Sequence, residues 1–274
     1  MKKLIAFAAP VLALVMVPLA SFAAGGGHNP FVVPSNADVT NDAAIQRGAK
    51  YFVNYCMGCH SAKYVRYKVM EQTGLSKEQI EENLIFDDSK YGDLMTIAMA
   101  DSDGAKWFGA PAPDLSLEAR LRHGPDWIYS YLKGFYSDPS RPMGVNNTVF
   151  KNVGMPNVLW ELEGIKEAVY RYEVHQDGHT VATFDNEAEA NAKAQELEGA
   201  KIEKLVDHLV QVEPGQLTAA EFDKMARDLA TFMAFIGEPI AEERKEMGVW
   251  VILFLTFFTV LAYLMKKEWW KDVH

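Results

Sequence analysis

The chain has 274 residues, of which 49% are hydrophobic and 23% charged, so it is long and apolar enough for a domain with a sizeable core. Its formal net charge of −10, with an isoelectric point near 5.2, disfavours nucleic acid as a partner and suits a basic soluble protein. Only two cysteines are present, which excludes a framework of disulfides.

Met1-Lys2-Lys3, an apolar run from Leu4 to Ala20 and then Ser21-Phe22-Ala23 read as a secretory signal peptide over 1–23, cut after Ala23. The region expected outside the cytoplasmic membrane is 24–246. Asp42 to Asn54 is expected to form a helix, with Ala44, Ile45, Gly48, Tyr51 and Phe52 at helical spacing. It feeds Cys56-Met57-Gly58-Cys59-His60, a C-x-x-C-H motif that uses both cysteines. This is the attachment signature of a c-type haem: Cys56 and Cys59 form thioethers and His60 is the proximal iron ligand. A redox-active cysteine pair has no need of the following histidine, and a zinc site would want a second ligand pair at similar spacing.

Further along, Ser76 and Gln79 suggest a capping box opening a helix that runs to Asn83, and Asp93 to Met99 is a short helical candidate. Trp107 to Arg122 is dense in turn formers, with Pro111 and Pro113 able to make a stiff wall, and ends in a short helix. Trp127 to Phe135 reads as an aromatic amphipathic helix, followed by a Pro/Gly loop that ends in Val153-Gly154-Met155-Pro156. A second axial ligand would make the haem an electron carrier. Met57 lies in the attachment loop, and Met95 and Met99 suit core packing. Met143 and Met155 both lie in loops, and Met155 is preferred because Gly154 permits close approach and Pro156 stiffens the chain.

Residues 170–213 change in character. Tyr170 to Val174 and Thr180 to Phe184 flank Gln176-Asp177-Gly178 as a hairpin, and Asn186 to Leu197 reads as a helix, together a peripheral insertion in which His175, His179 and His208 are expected to be solvent-exposed. Thr218 to Ile236 carries Phe222, Met225, Leu229, Phe232 and Ile236 at intervals of three and four, the stripe of a core helix. Met247 to Met265 has no charged residue over 19 positions, enough to cross a hydrocarbon core of about 30 Å. Lys266, Lys267 and Lys271 follow it, which leaves the 266–274 tail in the cytoplasm by the positive-inside rule, with Trp250 and the Trp269–Trp270 pair at the two interfaces.

The runs C-M-G-C-H-S-A-K-Y at 56–64, A-P-D-L-S at 112–116, A-R-L-R-H-G at 119–124, G-M-P at 154–156 and M-A-R-D-L-A-T-F at 225–232, with the single C-terminal span, resemble the cytochrome c1 family. The resemblance implies a mainly α cytochrome c fold with insertions, plus one C-terminal transmembrane helix, carrying one covalently bound haem c. It implies Met155 as distal ligand, Pro113 in the pocket wall and Arg122 paired with a haem propionate, a match that suits paired guanidinium donors. Trp127 stands where many relatives carry a tyrosine near the propionate, and its indole could only donate. The implied setting is the bacterial inner membrane, single-pass, with the haem domain in the periplasm. The implied partners are cytochrome b and a Rieske iron-sulfur subunit in a dimeric ubiquinol-cytochrome c reductase, with a cytochrome c as acceptor. The chain would be the electron-transfer subunit of that enzyme, without catalytic chemistry of its own. The rival from another setting is the monohaem c-type subunit of a terminal oxidase.

Overall fold

The computed structural model describes residues 29–121 and 124–271. The signal sequence expected over 1–23, Arg122 and the last three residues of the tail lie outside the described residues.

The first helix, α1 (Asp42–Tyr51), is opened by the Asn41 side chain, which accepts from the Ala44 amide at 3.0 Å. It buries Ala44, Ile45, Gly48 and Ala49 and runs into a π-helical turn, Phe52–Cys56, whose closing bond is Met57 N–H to Phe52 O at 2.9 Å. Strand β1 (Ala62–Arg66) and a 3₁₀ segment, Tyr67–Thr73, precede α2 (Lys77–Leu84), which begins with the expected Ser76/Gln79 capping box. The helix expected over 93–99 is instead the short strand β2 (Leu94–Met95), antiparallel to β1 with Met95 opposite Ala62. Pairing with the stretch just after His60 buries Met95 completely, and this long-range gain overrides a weak local helical preference.

The helix in this region is α3 (Asp101–Phe108), closed by Gly109, and it is followed by the short α4 (Glu118–Leu121). Helix α5 (Pro125–Lys133) starts on Pro125 and stops at Gly134, so Phe135, expected at the helix end, begins strand β3 (Phe135–Ser137), which pairs with β4 (Val145–Asn147). Helix α6 (Trp160–Glu163) leads into β5 (Gly164–Gln176), β6 (His179–Phe184), α7 (Glu187–Gln195) and β7 (Lys201–Pro214). The strands form one antiparallel sheet in the order β6-β5-β7. Asp177 and Gly178, both at positive φ (52° and 81°), make the two-residue turn between β5 and β6. The sheet reaches beyond the expected hairpin, pairing from His175 and Lys201 to Gly164 and Pro214. His179 and His208 are exposed, but His175 is half-buried, its Nε2 3.5 Å from Glu173 and 3.6 Å from Glu203. The β5–β7 pairing supplies that cover, which no local pattern announced.

The core forms around α8 (Ala219–Gly237), opened by a Thr218/Glu221 capping box and burying Phe222, Met225, Leu229, Phe232 and Ile236. Helix α1 crosses it at Gly48, where a Cβ would lie 2.1 Å from the Asp228 carbonyl oxygen and 2.6 Å from Phe232 Cβ. Beside the crossing, Arg47 donates twice to Asp228, at 2.6 and 3.0 Å. Helix α5 is tied to α8 through Asp223, which accepts from Tyr129, Lys133 and Arg227. The final helix, α9 (Ala241–Trp269), buries none of its residues, and its 29 residues span about 43 Å at 1.5 Å each. It is long and apolar enough to cross a membrane. Glu238, between α8 and α9, pairs with Arg120 and Arg244 and so joins the base of the span to the domain.

Where α6 meets β5, Lys166 is paired with Glu163, both nearly buried, and Lys166 also donates to the Lys133 carbonyl. Burial pushes the Glu163 carboxyl up to about 7 against the pull of Lys166, and burial pulls the Lys166 ammonium down. A carboxyl raised in the folded state contributes stability fully below its ordinary value of 4.5 and loses that contribution as pH rises through about 7. Glu163→Gln should therefore remove a decline in melting temperature between those pH values, as thermal melts across a pH series would read.

Candidate haem site

The π turn at the end of α1 swings Cys56 inward, and the next amides close back on it: Cys59 N–H and His60 N–H both donate to the Cys56 carbonyl, at 3.1 and 2.9 Å. The attachment motif is thus a tight backbone knot. A second segment is stitched to the residues that follow. Leu115 N–H donates to Ser61 O at 2.8 Å, Lys63 N–H to Asp114 Oδ2 at 2.8 Å and Tyr64 N–H to Ser116 Oγ at 3.0 Å. These bonds hold Pro113 over His60, whose Nδ1–H donates to the Pro113 carbonyl at 2.8 Å.

That bond fixes the tautomer. With its proton on Nδ1, the imidazole keeps the Nε2 lone pair for a metal. His60 is buried, which lowers its proton affinity and favours the neutral ring despite the opposing pull of the Pro113 carbonyl. The Cys56 thiol is also buried and pushed up to about 12 by desolvation and by Cys59, so it is no ready thiolate of the kind a redox pair requires.

Both cysteines and His60 line a cavity of about 410 Å³ with mostly apolar walls, a size and character suited to a flat apolar cofactor. Pro113, Trp127 and Met155 line it too, so the residues singled out in the sequence converge, Arg122 excepted because it lies outside the described residues. Met143 is not among the lining residues, whereas Met155 is, and a Cβ on Gly154 would come within 3.2 Å of the Phe108 carbonyl oxygen. The loop that presents Met155 is held by Arg141 to the Asn152 carbonyl at 3.0 Å and by Asn152 N–H to Asn146 Oδ1 at 2.8 Å.

Sequence reasoning missed Tyr131, Phe108 and Met233 as lining residues. Tyr131 stands four residues after Trp127 on α5, a helical spacing that could have placed both on one face. Phe108 belongs to a helix that was read as loop. Met233 sits on the buried stripe of α8, where core packing accounts for it. Two thiols, an imidazole with one nitrogen committed, a thioether and an apolar slot fit a covalently held haem.

Comparison with known proteins agrees with that chemistry. The chain is 44% identical to the cytochrome c1 of Allochromatium vinosum over 262 residues, covering 95% of this chain and 96% of the relative. It is 36% identical to a Nitrosomonas europaea protein named ammonia monooxygenase gamma subunit, over 96% of this chain and 97% of that one. It is 28% identical to the cytochrome c1 of Rhodospirillum rubrum over 84% and 81% of the two chains. The profile of the Cytochrome C1 family matches residues 35–273. A C-x-x-C-H motif on an apolar cavity and a C-terminal helix able to span a membrane accord with this match, which establishes that the chain belongs to the cytochrome c1 family, the haem subunits of bc1 complexes, which carry a covalently bound haem c.

Proposed function

We propose that this chain accepts one electron from a Rieske iron-sulfur protein and passes it to a cytochrome c, as the membrane-anchored electron-transfer subunit of a ubiquinol-cytochrome c reductase. The observation that carries the reading is the convergence of Cys56, Cys59, His60 and Met155 on one apolar cavity in a chain of this family. The haem, when bound, supplies the one-electron chemistry. Cys56 and Cys59 would hold it covalently, His60 would bind it through Nε2 with Pro113 orienting the ring, and Met155 would supply a thioether. Trp127 lines the slot, and Arg122, outside the described residues, would pair with a propionate. Quinol oxidation belongs to the partner subunits, cytochrome b and the Rieske protein, in a dimeric complex. The periplasmic domain is 24–246 once the 1–23 signal is removed, 247–265 spans the inner membrane, and the 266–274 tail is cytoplasmic.

The name of the Nitrosomonas relative raises the reading that the chain serves an ammonia monooxygenase. An oxygen-activating site needs a free position on its metal, and a His60 and Met155 pair would leave none. The terminal-oxidase reading differs in the direction of electron flow. Both are tested by admitting oxygen to anaerobic, quinol-reduced membranes washed free of soluble cytochrome c. A haem that stays reduced until cytochrome c is added back is expected, whereas immediate oxidation by oxygen would support either rival.

A further inference from the structure

Tyr131 is clamped by its neighbours. Its ring stacks on Trp127 at 5.0 Å with 12° between the planes, and Phe135 meets it edge-on at 5.2 Å. Asn147 donates to its carbonyl at 2.8 Å, holding this end of α5 against β4. The phenol is thereby aimed along the cavity wall, and its hydroxyl lies 3.4 Å from Met155 Sδ. A thioether can only accept, so the phenol is the donor.

We propose that Tyr131 is a positioning residue for Met155, donating to Sδ so as to orient the thioether and raise the potential of the iron it faces. The inference rests on Met155 being the distal ligand. A thioether sulfur has two lone pairs, one for the metal and one free. A hydrogen bond to the free pair draws density from sulfur and weakens its donation. The oxidised iron needs that donation more than the reduced iron does, so weakening it favours reduction. Elsewhere in the chain, Tyr67 donates to Met57 Sδ at 3.5 Å, but neither residue lines the cavity, which makes that pair an internal control.

The test is an equilibrium redox titration of the haem in the full-length membrane-bound protein, comparing Tyr131→Phe, Tyr67→Phe, Met155→Ala and the Met155→Ala/Tyr131→Phe double variant. Tyr131→Phe keeps the stacked ring and removes the hydroxyl that donates to Met155 Sδ. It should shift the one-electron equilibrium about threefold toward the oxidised form, roughly 28 mV at 59 mV per tenfold, and alter the sulfur-to-iron charge-transfer absorption. Tyr67→Phe should titrate like the parent, and the double variant like Met155→Ala alone. An unchanged or raised potential in Tyr131→Phe, while Met155→Ala shifts, overturns the role of Tyr131 and leaves the ligand assignment standing. An equal Tyr131 effect with and without Met155 also overturns it. No shift in Met155→Ala removes the ligand assignment itself.

Discussion

Met155→Ala is expected to lower the reduction potential of the haem by a few tenths of a volt, out of the ~0.8 V that axial ligation spans. A thioether donates weakly and so favours the reduced iron, which is why methionine ligation raises potential. Alanine leaves a position that water or an added ligand can take, and carbon monoxide should then bind the reduced protein, as difference spectra would reveal. The same substitution leaves the backbone of the loop intact, since that loop is held by Arg141 and Asn146 rather than by the methionine side chain. A variant with the parental potential and no carbon monoxide binding would refute the ligand assignment. Met233, the other thioether on the cavity wall, would then be the residue to replace.

Gly48→Ala should damage the domain more than any surface change. The added Cβ would sit 2.1 Å from a backbone oxygen of α8 and 2.6 Å from the Phe232 Cβ, so neither a rotamer change nor a flexible tip can relieve it. The helices must separate, and the bidentate Arg47–Asp228 pair beside the crossing would be strained with them. Overpacking of this kind costs about 3 kcal/mol or more when backbone blocks the way, which for a domain of this size lowers the melting temperature by roughly 6–12 °C. Because α1 runs directly into the π turn that carries Cys56, the damage should also appear as poor haem incorporation. Thermal loss of the haem absorption band, and haem content per chain, would measure both. Parental values would show that α1 and α8 tolerate a wider crossing.

What was legible in the chain was local. The C-x-x-C-H run, the Ser76/Gln79 capping box, the α8 stripe and the Asp177-Gly178 turn are each decided by residues within a few positions of one another, whereas the Thr218/Glu221 box that opens α8 went unread. Met155 was separable from Met143 only because its neighbours, Gly154 and Pro156, describe a loop able to approach another backbone closely. The unread features depend on distant partners. Leu94 and Met95 are extended because the chain after His60 offers them a strand to pair with, and β7 exists because β5 runs beside it along the sheet. The bond from His60 to the Pro113 carbonyl joins residues 53 apart, and nothing in either local sequence shows it. The π turn was read as a plain continuation of α1, since one extra residue per turn leaves hardly a trace in hydrophobic spacing.

The central claim, that this haem lies immediately downstream of quinol oxidation, is tested most directly by following its reduction by quinol in native membranes, with and without an inhibitor of the Rieske site. Fast reduction abolished by the inhibitor is the expected result. Reduction that is indifferent to the inhibitor, or that waits for added reduced soluble cytochrome c, would contradict the account and move the chain to an oxidase.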